Sequence, residues 1–284
     1  MKLGVWGAAV VSAGTFRLDG GAMFGTVPKV VWQAHCPADA DNQILLDTNC
    51  LLLRGEVDGR RRTVLVDTGC GDKEPDGFMA RYKFEGRGIL ARNLAALGVT
   101  PADVDLVLLT HLHFDHAGGA TCLDPAGQLA PVFPNARYLV QRRDLDNARR
   151  PSLRERASYL PKNWEPLEQA GVLDTVQGAA EILPGLSVRP VPGHTPGLQA
   201  VVVQGQDRRL LFIADLIPTS HHLRPAWVMG YDLDVATCVE QRLRLLDEVA
   251  GTGDVLVFEH DPVVRAAAVD RPAPGHYALV PVEL

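Results

Sequence analysis

Thr110-His111-Leu112-His113-Phe114-Asp115-His116-Ala117-Gly118-Gly119 follows directly on the apolar run Leu106-Val107-Leu108-Leu109. That run reads as a buried strand. Side chains two apart on an extended chain point the same way, so His111 and His113 can grip one ion together. The chain must then turn, and Asp115 and His116 fall where a helix would begin, facing back across the same opening. The spacing thus gives two ligand pairs and predicts two metal ions. Imidazole and carboxylate are the ligand types that Zn²⁺ accepts at a catalytic site. A histidine-rich turn of no consequence is the competing reading. It is disfavoured because a hydrophobic strand supplies the context that a metal motif requires.

Two metals need further ligands, and three candidates stand at the ends of strands. His194 lies in Val191-Pro192-Gly193-His194-Thr195-Pro196-Gly197, a Pro/Gly-punctuated loop between apolar strands. Asp215 ends Leu210-Leu211-Phe212-Ile213-Ala214, and His260 follows Val255-Leu256-Val257-Phe258-Glu259. A carboxylate between two cations can hold them at the roughly 3.5–4 Å separation of two-metal hydrolases.

Taken together, these motifs resemble the metallo-β-lactamase-fold hydrolases, and the resemblance covers essentially the whole chain. It implies an α/β fold, a four-layer αββα sandwich, spanning residues 1–284 as one domain. It also implies that His111, His113 and His194 bind a first metal and Asp115, His116 and His260 a second, with Asp215 bridging. Val66-Asp67-Thr68-Gly69 matches the early Asp motif of that fold and makes Asp67 a supporting residue beside the metals. His-Leu-His-Phe-Asp-His-Ala-Gly-Gly is similar to the quorum-quenching N-acyl-homoserine lactonases. The stretches Leu18–Lys29 and Asp215–Thr219 resemble a lactonase-like branch that approaches the methyl-parathion-hydrolase type. One departure stands out: the best-known lactonases carry a substrate-contacting tyrosine three residues after the bridging aspartate, where this chain has Pro218.

The implied activity is zinc-dependent opening of lactone or related ester bonds by a hydroxide bridging two divalent cations, with Mn, Fe or Co as other acceptable metals. Asp115 and Asp215 are the expected catalytic carboxylates, passing a proton to the leaving oxygen. An organophosphate triesterase is the main alternative, since the same hydroxide attacks phosphorus. A β-lactamase is disfavoured by Asp215. A glyoxalase-II-type thioesterase is disfavoured by the short stretch after His260, and a mononuclear iron persulfide oxidase by the full ligand set. A nuclease of the same superfamily and a non-catalytic metal-binding protein are weaker readings: no nucleic-acid-binding arm is apparent, and no ligand is lost.

The 284 residues suffice for a substantial core, and a net charge of −6 predicts no general attraction to nucleic acid. Seven arginines gather between Arg137 and Arg156, interrupted by Asp144, Asp146 and Glu155, and read chiefly as a solvated helical insertion. Residues 141–170 are expected to form a helical lid over the metals, with Tyr159 and Trp164 supplying contact area. Five cysteines without a C-x-x-C pair read as reduced thiols, and hence a cytoplasmic protein. The apolar stretch Leu3–Ala13 is taken as a first strand rather than a signal peptide. The expected partner is a small-molecule substrate, with neither nucleic acid nor membrane, and a homodimer is admitted. Among the nine histidines, His35 and His276 have no partner motif. His222 follows Asp215 closely enough to reach a substrate carbonyl in place of the missing tyrosine. Met23, Phe24 and Trp227, with Met229 and Tyr231, are the candidate apolar lining.

Overall fold

A computed structural model describes residues 1–273 and 275–284. Two seven-stranded sheets dominate it. The first runs, in spatial order, Lys2–Leu3, Trp6–Asp19, Gln43–Val57, Arg60–Val66, Leu106–Leu108, Arg137–Gln141 and Leu173–Val176. The second runs Ala180–Leu183, Leu186–Pro190, Gln199–Gln204, Arg209–Phe212, Val255–Val257, Ala266–Ala273 and His276–Pro281. A turn at residues 4–5 breaks the strand expected over Leu3–Ala13: Lys2–Leu3 folds back on Trp6–Asp19, which forms the long hairpin with Gln43–Val57.

Alternation along the strands makes the layers. Leu51, Leu53, Val64 and Val66 face the second sheet, where Val188, Val201, Val203 and Phe212 meet them in one buried cluster. Their chain neighbours Leu52 and Leu65, with Val107, point the other way and pack with Leu94, Leu145 and Leu167 from the helical layer. A period of two therefore gives the first sheet two apolar faces, each needing a cover. Helix Ile89–Ala96 and the segment 142–169 cover its outer face, while helix Val235–Val249 puts Leu245, Leu246 and Val249 against the second sheet. The result is the expected αββα sandwich.

The parallel pairings position the site. Arg60–Val66 runs parallel to Leu106–Leu108, and Arg209–Phe212 runs parallel to Val255–Val257. Their carboxyl ends deliver Asp67, His111, Asp215 and His260 to one edge of the sandwich, where open α/β sheets place their ligands. Segment 141–170 consists of helix Arg142–Arg149, a 3₁₀ turn Pro161–Asn163 and helix Glu165–Gln169. Within it Arg149 pairs with Asp146 and Glu168, and just before it Arg137 pairs with Asp174. Among the described residues no helix is long and apolar enough to cross a membrane. All five cysteines are free, and Cys50, Cys70 and Cys238 are buried.

Two loops interlock beneath the site with no room for side chains. A Cβ on Gly118 would land on the carbonyl of Cys70, and one on Gly119 on the carbonyl of Thr68. The amide of Gly119 donates to the carbonyl of Gly69 at 2.9 Å, and Lys73 Nζ donates to the carbonyl of Gly118. This explains the double glycine that closes the histidine motif. Gly118→Ala should lower stability by about 1–3 kcal/mol or more through forced backbone movement. Thermal melting of the variant checks it, and an unchanged Tm would contradict the interlock.

Candidate metal centre

The His-x-His-x-Asp-His stretch behaves locally as its spacing requires. Extended backbone after Leu108 puts the rings of His111 and His113 on one side, with centroids 4.5 Å apart. The short helix Phe114–Ala117 then turns Asp115 and His116 back across the opening. His194 arrives from the loop between Leu186–Pro190 and Gln199–Gln204, and Asp215 from a 3₁₀ turn, Ala214–Leu216. His260 follows Val255–Val257. All seven are buried. They fall into two groups with converging ligand atoms: His111, His113, His194 and Asp215; and Asp115, His116 and His260.

Asp215 joins the groups. Its Oδ2 lies 3.0 Å from His194 Nε2 and its Oδ1 3.1 Å from His260 Nε2. His113 Nδ1 and His194 Nε2 approach to 3.2 Å, and the Nε2 atoms of His116 and His260 to 3.3 Å. His111 Nε2 and Asp215 Oδ1 are buried without a hydrogen-bond partner among the described residues. Buried polar atoms are normally paired. Nitrogens and carboxylate oxygens that converge on common points, yet do not satisfy one another, suit divalent cations of the zinc type. The residues present fit the implied metals.

The far side of most rings is anchored. His194 Nδ1 donates to Asp232 Oδ1 at 3.0 Å, and His260 Nδ1 to the carbonyl of Asp47 at 2.9 Å. Asp67 takes the Thr110 amide at 2.7 Å and the Thr110 hydroxyl at 2.6 Å, and its Oδ2 is 3.1 Å from His116 Nδ1. Because the Thr110 hydroxyl donates to Asp67, its oxygen accepts from His111 Nδ1, 3.1 Å away. Asp144 accepts from the Leu112 amide, the Thr195 hydroxyl and the Tyr159 hydroxyl, tying both histidine loops to segment 141–170. Asp67 and Ala214 sit at φ 57° and 45°, in the left-handed region that costs about 1–3 kcal/mol for such residues and gathers at functional sites. Asp47, Thr110, Asp144, Asp232 and Glu259 were not singled out from the sequence. Thr110 and Glu259 adjoin ligands and were findable on that ground; the aspartates carry no local signal.

Electrostatics divide the imidazoles. Burial, reinforced by neighbouring imidazoles, holds His111 and His113 well below the usual histidine value, leaving their lone pairs available. Burial also opposes charge on His194, but Asp215 and Asp232 outweigh it and lift the ring to about 10. Burial would raise Asp215, yet His194, His260 and His116 hold it well below the carboxylate range.

Several pocket expectations are corrected. His222 is fully buried: Nε2 donates to the Met23 carbonyl at 2.8 Å, and Nδ1 accepts the Thr219 hydroxyl at 2.8 Å. Both nitrogens are occupied, so it braces a loop and cannot reach a substrate. Met23 and Phe24 belong to a short helix, Gly20–Phe24, and are buried in a core cluster with Trp32, whose ring stacks on Phe24. Helix Lys29–Trp32 covers what the sequence left looking open. Trp227 stays half-buried, under the Arg224 guanidinium. Pro218 is buried, and its carbonyl accepts the His260 amide at 2.9 Å. Tyr159 lies against His113, with ring centroids 4.6 Å apart, whereas Trp164 is packed into the core beneath.

A cation entering the first group must displace the proton that His194 holds up to about pH 10. Zinc uptake at about pH 8 should therefore release protons and weaken as pH falls. Titration calorimetry in buffers of different ionisation enthalpy reads this directly, and heats independent of buffer would contradict it.

Comparison with known proteins agrees with this geometry. Residues 44–260 match the metallo-beta-lactamase superfamily. The N-acyl homoserine lactonase AttM of Azorhizobium caulinodans is 33% identical over 205 residues, 68% of this chain and 70% of that one. A probable metal-dependent hydrolase from Staphylococcus aureus superposes with a TM-score of 0.89 at 28% identity, covering 100% of this chain and 99% of that one. AidC, a dizinc quorum-quenching lactonase, shares the fold with a TM-score of 0.80 at 22% identity, covering 100% and 97%. The chain belongs to the metallo-beta-lactamase superfamily.

Proposed function

We propose that this protein is a two-metal hydrolase that opens lactone rings, acting on N-acyl homoserine lactones or closely related esters. The observation that carries the reading is Asp215, a single carboxylate reaching both ligand groups at 3.0 and 3.1 Å. Likeness to AttM supplies the substrate class.

Two divalent cations, zinc by preference, would be held by His111, His113 and His194 and by Asp115, His116 and His260, supplying Lewis acidity that acidifies water and neutralises a developing oxyanion. The chain's own residues do the rest. Asp215 holds the two groups in register. Asp232, Asp47 and Asp67 fix the rings from behind, so the ligand geometry is set before substrate arrives. Asp115 retains slight exposure at the mouth, 3.7 Å from His260 Nε2. It is the carboxylate able to take up the proton that the attacking water gives up and hand it to the leaving alkoxide, which in a lactone stays tethered and yields one hydroxy acid. Tyr159 shields His113 from water, whereas the rest of residues 141–170, expected as a lid, packs as the helical layer on the first sheet.

Zinc-reconstituted protein should hydrolyse a short- and a long-chain N-acyl homoserine lactone, and Asp215→Ala should lose about 100-fold or more of that rate. A metal-loaded protein inert to both lactones would sink the lactonase reading. An organophosphate triester assayed alongside then decides whether phosphorus is the target.

A further inference from the structure

His116 has a second carboxylic neighbour that the mechanism does not use. Glu259 is fully buried, and its Oε2 lies 3.0 Å from His116 Nδ1. The ring N–H is directed at Asp67 Oδ2, 3.1 Å away, and Glu259 stands off that direction. Neither oxygen of Glu259 has a hydrogen-bond partner among the described residues. A buried carboxyl left so poorly paired costs stability, and such groups persist where they serve a site.

The two acids differ in what they touch. Asp67 is held by both donors of Thr110, whose hydroxyl also meets His111, so it connects with both ligand groups. Of the six histidine and aspartate ligands other than the bridging Asp215, Glu259 makes its close contact with His116 alone; it stands beside Asp67, their oxygens within 4.8 Å, and immediately precedes His260 in the chain. Its backbone is fixed, since its carbonyl accepts the Asn49 amide at 2.8 Å. The geometry points to Glu259 as a positioning residue dedicated to the second group, its oxygen at His116 Nδ1 setting how firmly Asp115, His116 and His260 hold their cation. Asp67 serves both groups; Glu259 serves one.

This rests on the two-cation reading above, and the test separates the two. Zinc-loaded wild-type protein is challenged with a chromogenic chelator, and the release phase absent from His260→Ala is assigned to the second group. Glu259→Asp withdraws the oxygen by one methylene without removing the acid. It should speed release from the second group at least about tenfold and leave the first phase unchanged. Glu259→Gln keeps an oxygen for His116 and offers its amide to Asp67, so it should release both ions at wild-type rates. Wild-type release of both ions from Glu259→Asp, equal acceleration of both phases, or failure of Glu259→Gln to match wild type would each overturn the assignment. A wild type that binds a single zinc would instead overturn the two-cation reading itself.

Discussion

The site depends on one carboxylate placed among four imidazoles. Asp215 lies 3.0 Å from His194, 3.1 Å from His260, 3.5 Å from His116 and 3.9 Å from His111, all of them buried. Such crowding is tolerable only if charge is balanced locally, because burial penalises every ion that is not paired. The site achieves this by keeping His111 and His113 neutral while His194 answers Asp215 and Asp232, and His116 answers Glu259 first and then Asp115 and Asp215. Cations that take over those contacts would relieve the same imbalance. The architecture around the centre can be understood as the means of holding this arrangement still.

Three devices do that. Parallel strands end at a common edge and bring ligands far apart in sequence to one opening. The glycines at 118 and 119 let two loops pack backbone to backbone, so the histidine stretch cannot drift from the loop carrying Asp67. Buried anchors then fix ring orientation: Asp232 for His194, the Asp47 carbonyl for His260, and Thr110 with Asp67 for His111 and His116. Arg242 reaches Asp232 from helix Val235–Val249, so that helix is tied to the metal site as well as to the core. Backbone strain at Asp67 and Ala214 is sustained because both lie within this over-determined frame.

Much of this was legible in the chain. The ligands were found because metal chemistry restricts residue types and because apolar strands mark where such residues emerge; His111, His113, Asp115 and His116 needed only local spacing. The layered fold is legible only through the likeness of the motifs. The anchors were hidden, since an aspartate such as Asp232 or Asp144 looks like any loop acid until the fold brings it to a ring or an amide. The pocket lining is hidden in the sequence for a related reason. Met23 and Phe24 sit beside glycines and read as exposed, but Trp32, one short helix later, stacks on Phe24 and closes over them. His222 was tempting for its nearness to Asp215 in sequence, and the fold spends both of its nitrogens elsewhere.

The most direct test of the account is anomalous diffraction from crystals of zinc-loaded protein, recorded on either side of the zinc edge. Two peaks are predicted, one among His111, His113 and His194 and one among Asp115, His116 and His260, with Asp215 between them. A single peak, or zinc bound away from these residues, would contradict the claim that this chain builds a two-metal centre.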